Sequence, residues 1–166
     1  MKIIEFYRCE RGNQNGHKLD DIVTNWTDGW LEMDHDYIQW VFPSNEVSAM
    51  NGEAPTLTRE EASIFENDLE LQDKVKRSFV RFLRFLQFEL EEHDEQIIIK
   101  PIQECPRWLT QFNHTMLRVT RILKSLRLTG NTKYANAFYD ALRPYKSRVS
   151  ENTWSFWYNA VFEPLW

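Results

Sequence analysis

The sequence predicts an all-α, single-domain bundle of six or seven helices, and three observations predict it. Long stretches carry apolar residues at helical spacing, above all "DKVKRSFVRFLRFLQFELEE" and "NHTMLRVTRILKSLRLTG". Capping residues stand where such stretches begin, and Gly or Pro where they end. The extended apolar run "IIIKPI" has no second run to pair with, so it reads as extended loop.

The elements follow in order. A loop around "CERGNQNGHK" leads to a short helix from Leu19 to Asn25. Asp28 is placed to cap a second helix running to Phe42, where Pro43 removes a backbone donor and stops it. "PSNEVSAMNGEAP" is loop, and Thr58 with Glu61 makes a capping box, hydroxyl and carboxylate each satisfying an orphan amide. The long Phe- and Leu-rich helix then forms the central post of the bundle. Pro106 opens a helical turn carrying Trp108 and Phe112. Asn113 caps a helix through Leu128, and Gly130 suits its C-terminal end. Two more helices run from Lys133 to Arg143, broken by Pro144, and from Ser150 to Phe162.

At 166 residues and 42% apolar, the chain provides for one core, so residues 1–166 are read as one domain. Seven Trp and eleven Phe make a folded globule the expectation. No apolar run reaches the ~20 residues of a membrane span, and the charges in "MKIIEFYRCERG" argue against a secretory leader. Cys9 and Cys105 lack metal-ligand spacing and read as reduced thiols in a cytoplasmic protein. Net charge is −5 but unevenly spread: residues 1–70 carry 5 Lys/Arg against 15 Asp/Glu, and residues 71–148 carry 15 against 8. Two readings follow: mutual attraction of the two parts across their packing surface, or a basic surface for an anionic partner.

Two helix faces carry the functional signal. With Trp30 at zero, Met33, Tyr37, Val41, Ile38, Leu31, Trp40 and Phe42 cover an apolar arc of about 200°. Asp34 falls inside that arc, where a carboxylate needs a partner or a capping role. On the second helix His114, Arg118, Arg121 and Ser125 form one narrow stripe, at i, i+4, i+7 and i+11, with leucines on both flanks. A solvated polar face is usually wider. The stripe therefore needs acceptors, either internal (Glu32, Asp34, Asp36) or the oxygens of a bound carboxylate or phosphate, which arginine forks match.

"HDYIQWVFP" at 35–43 and "LRVTRILKSL" at 117–126, with Asn113 and His114 just before it, resemble signature segments of the opioid growth factor receptor conserved region. "FY" at Phe6–Tyr7, "LDDI" at Leu19–Ile22, "WLEMDHDYIQW" at Trp30–Trp40 and "APTLT" at Ala54–Thr58 stand in the order that family shows. The resemblance implies a compact single-domain member without the C-terminal repeats of the animal proteins. Those animal proteins are described as nuclear-associated receptors for methionine enkephalin. It carries over no ligand residues, and the chain has neither a basic nuclear-import cluster nor a membrane segment.

Other chemistry is weakly marked. His17, His35, His93 and His114 show no HExxH or CxxC company, and five Gly leave little for a phosphate loop. No cofactor is expected. Arg118, Arg121, Lys124 and Arg127 advance by threes as a phosphate-contacting helix would, but the apolar residues between them and the net negative charge disfavour nucleic acid. The expectation is a small binding or regulatory domain whose cleft takes an anionic ligand or peptide. Asp34, His35 and Gln39 reach toward the stripe, Tyr37 and Trp40 wall the cleft, His114 donates a hydrogen bond, and Arg118 and Arg121 hold the anion. An enzyme using His114 or His35 as acid or base beside the arginines is the alternative, and a nucleic-acid module the third.

Overall fold

The computed structural model describes residues 1–110 and 112–166, and in these the chain is α+β, not all-α. Nine α-helices accompany a two-stranded antiparallel sheet among the described residues. The helices are α1 (Lys2–Tyr7), α2 (Leu19–Asn25), α3 (Asp28–Met33), α4 (Ile38–Val41), α5 (Arg59–Asn67), α6 (Leu69–Phe85), α7 (His114–Leu128), α8 (Thr132–Leu142) and α9 (Glu151–Phe162). The strands are β1 (Phe88–His93) and β2 (Gln96–Pro101).

The hairpin corrects the expected extension of the Phe-rich helix. α6 stops at Phe85, and Gln87 adopts φ 65°, a left-handed conformation that no helix continues through. "FELEEH" then pairs with "QIIIKP" in register, Phe88 opposite Pro101 and His93 opposite Gln96, with Asp94 at φ 56° in the turn. The strand that "IIIKPI" needed was hidden in residues of good helix propensity, Glu and Leu. Phe88 and Ile99 point into the core, which gives the sheet its buried face.

The expected helix from Asp28 to Phe42 is also two helices. Thr27, rather than Asp28, caps α3: its hydroxyl accepts the Trp30 amide at 3.3 Å. The chain leaves helical geometry at Asp34, whose carboxylate accepts the Asp36 amide at 2.8 Å in a local turn. The continuous helical wheel therefore does not apply. Trp30 and Met33 are 59% and 80% exposed, while Tyr37, Trp40, Val41 and Phe42 are buried.

Other local signals give the expected elements. Thr58 and Glu61 form the capping box of α5, while α6 begins earlier than expected, capped by Asp68 through the Glu70 and Leu71 amides. Asn113 caps α7 by accepting the Thr115 amide at 2.9 Å. Gly130, at φ 81°, ends the turn after α7 where a Cβ would press on Glu66. α7 packs against both α8 and α9. Trp157 seats α9 on it, fully buried, with its indole N–H donating to the Met116 carbonyl at 3.0 Å.

Candidate functional site

The polar stripe on α7 faces the α3–α4 segment, and the two arginines meet it differently. Arg118 is 6% exposed. It donates to the carbonyls of Leu31 at 2.6 Å and Asp34 at 3.0 Å and to the Tyr37 hydroxyl at 3.2 Å, and its guanidinium lies 5.6 Å from the Tyr37 ring centre. The Tyr37 hydroxyl in turn donates to the Leu31 carbonyl at 2.6 Å. Burial pushes the Tyr37 phenol well above its ordinary range, against the pull of Arg118, so it stays a neutral donor. Arg118 thus holds the break between α3 and α4 through main-chain oxygens, not through the Asp34 carboxylate.

Arg121 is less spent. Among the described residues its one hydrogen bond goes to the Phe42 carbonyl, at 3.2 Å, and no carboxylate lies within salt-bridge distance. Burial lowers its proton affinity and the Glu46 carboxylate works the other way; the guanidinium remains charged. Beside it Lys124 pairs with Glu46 at 2.8 Å, with the Glu46 side chain 76% exposed.

These groups border a groove of about 300 Å³ between α7, α4 and the loop that follows α4. His35, Gln39, His114, Arg118 and Arg121 all line it. The His114 Nε2 lies 2.8 Å from a Glu32 carboxylate oxygen, and its ring meets that of His35 edge-on, 5.4 Å between centres. Gln39 is buried and accepts from the Asn51 amide at 3.3 Å, which ties the loop to α4. Asp34, Tyr37 and Trp40 are not on its wall. Asp34 is turned into its own turn, Tyr37 is under Arg118, and Trp40 is in the core with its N–H donating to Gln14 at 2.6 Å.

The apolar walls come instead from Ile38, Met50, Leu117 and Phe156. Leu117 and Phe156 are 50% and 54% exposed. Leu117 was legible as a flank of the stripe. Phe156 was not, because its place depends on how α9 seats on α7, which Trp157 decides. Among the described residues no group of three or more His, Cys, Asp or Glu is arranged to hold a metal ion, and no helix is long and apolar enough to cross a membrane.

These elements together define an α+β fold with a groove along one helix, lined by Arg118, Arg121 and Lys124 and walled by apolar side chains. The opioid growth factor receptor (OGFr) conserved region matches residues 1–142, and the chain belongs to that family. It is 36% identical to the opioid growth factor receptor of Rattus norvegicus over 136 residues, covering 79% of this chain and 23% of the relative. Identity to the Homo sapiens opioid growth factor receptor is 38% over 128 residues, 74% of this chain and 19% of the relative. Opioid growth factor receptor-like protein 1 of Xenopus tropicalis is 33% identical over 125 residues, 74% and 24%. The chain thus spans about a quarter or less of the length of these relatives. No solved structure matches it.

Proposed function

We propose that this domain binds a peptide through an anionic group, a carboxylate, received in the groove by Arg121. The observation that carries the reading is that Arg121 faces the groove with one main-chain acceptor, while Arg118 three residues away has its donors committed to the scaffold. A charged fork that lacks a carboxylate partner favours one from outside. Lys124 and His114 add positive or donating groups on either side, and Leu117, Met50 and Phe156 supply apolar contact. The relatives are named receptors of an opioid growth factor, which makes a peptide the first ligand to try. The two free thiols, Cys9 and Cys105, suit a reducing compartment such as the cytoplasm.

Thermal unfolding of the wild type and of Arg121→Ala tests this against acetate, inorganic phosphate, a nucleotide and methionine enkephalin. A carboxylate ligand should raise the wild-type midpoint and leave that of Arg121→Ala unmoved. A shift of equal size in both proteins would remove Arg121 from the site. A second reading rests on the Glu32–His114 contact beside His35, the arrangement of an oriented acid–base imidazole. It is favoured only if His114→Gln abolishes turnover of a substrate whose binding it leaves intact.

A further inference from the structure

The groove does not end at Lys124. A second concavity, of about 310 Å³, continues along α7 to Arg127 and Leu165, and the two share Glu46, Thr120, Lys124 and Phe156 as common walls. From His114 to Arg127 the α7 face is about 20 Å long at 1.5 Å per residue, the span of about six residues of extended chain. Along it stand, among the described residues, four permanent cations, Arg118, Arg121, Lys124 and Arg127, against three carboxylates, Glu32 at the His114 end, Glu46 and Glu163. Arg118 spends its donors on carbonyls and the Tyr37 hydroxyl, and Arg127 on the Ala160 and Glu163 carbonyls at the C-terminal end of α9, so among the described residues neither is paired with a carboxylate. The groove is therefore locally positive in a chain of net charge −5.

Resting on the reading that Arg121 receives a carboxylate, we infer that the occupant is an extended acidic segment of another polypeptide, lying along the full length of α7. Glu46 is the group this segment displaces. It stands on the exposed loop after α4, with its carboxylate on Lys124, at the junction of the two halves of the groove. It fills with the protein's own charge the place an incoming side-chain carboxylate would take. Phe156, on the wall common to both halves, offers an aromatic face midway along the track. Charge complementarity selects acidic residues, and Leu117 and Phe156 select an apolar or aromatic residue among them.

Fluorescence anisotropy with labelled acetyl-Glu-Asp-Phe-Glu-Asp-Leu-amide tests this, with acetyl-Glu-Asp-amide and a single-stranded oligonucleotide of equal charge as competitors. The hexapeptide should bind at least about tenfold more tightly than the dipeptide, and Phe156→Ser should weaken it about fivefold. Glu46→Gln should strengthen it about threefold by freeing Lys124. Phe156 and Glu46 are both largely exposed, so neither replacement threatens the fold. If the dipeptide binds through Arg121 but length and Phe156→Ser change nothing, the extended occupant is overturned and the carboxylate reading stands. If neither peptide binds, both are overturned. If the oligonucleotide competes better than the hexapeptide, the groove belongs to nucleic acid and the inference fails.

Discussion

Arg118 donates to two main-chain carbonyls and a phenol from a site 6% exposed, so its removal strands buried acceptors as well as losing three contacts. Arg118→Ala should cost about 2–4 kcal/mol in urea denaturation, and the protein that remains folded should bind an acidic peptide less tightly, since one of the groove's four cations is gone. Arg118→Lys should recover part of this, since an ammonium reaches one acceptor but cannot fork across two. Arg121→Ala gives up one partly buried bond and should cost no more than about 1 kcal/mol. The stripe holding both residues is legible as a periodicity, His114 to Ser125. What periodicity does not show is which oxygens each guanidinium finds. Main-chain carbonyls leave no trace in residue identity, so carboxylates such as Asp34 look like the natural partners when backbone is in fact the acceptor.

Among the elements, some ends are plain from sequence: Thr58 with Glu61, Asn113, Ser150, and Gly130 after α7, whereas the Thr27 and Asp68 caps are not. Gly130→Ala should lower stability by about 1–2 kcal/mol, because φ 81° is costly for any Cβ and that Cβ would meet Glu66 at 2.7 Å. Asp68 makes a pH-dependent contribution. The Leu71 amide, then Arg8, holds its carboxyl below the usual range, so the native state prefers the ionised form. That stabilisation is present above the ordinary carboxylate pKa and is lost as pH falls through the lowered one. Asp68→Ala should therefore lower the thermal midpoint near neutrality and flatten its decline on acidification, as followed by circular dichroism. The hairpin and the break at Asp34 were hidden for a shared reason. Each lies inside a run whose local pattern continues as helix, and each turns on one residue, Gln87 or Asp34, that leaves helical geometry and whose carbonyl accepts from a donor distant in sequence, the Ile102 amide or Arg118.

In the whole molecule the acidic first part and the basic second part meet, among the described residues, in four pairs: Asp28 with Arg81, Glu32 with His114 and Glu46 with Lys124, each at 2.8 Å, and Glu70 with Lys74 at 3.6 Å. Each has at least one well-exposed member, so high salt should reduce stability by no more than about 1 kcal/mol. Binding of an acidic peptide should fall more steeply with salt, because Arg118, Arg121 and Arg127 of α7 have no carboxylate partner among the described residues. Of the two readings that composition allowed, internal attraction is seen in these pairs, and the basic surface for an anionic partner is the proposal made for the groove. The progression of Arg118, Arg121, Lys124 and Arg127 is legible in the sequence, where it reads as a disfavoured phosphate-contacting helix. That α9 would wall it with Phe156 required the tertiary packing. The measurement that bears most directly on the site is a heteronuclear NMR titration with the acidic hexapeptide, reading the arginine side-chain N–H resonances. The Arg121 signal and the Leu117–Lys124 amides should shift together and saturate, while the Arg118 side chain stays in place. Shifts that leave Arg121 untouched, or none at any peptide concentration, would contradict the assignment of this groove as a binding site.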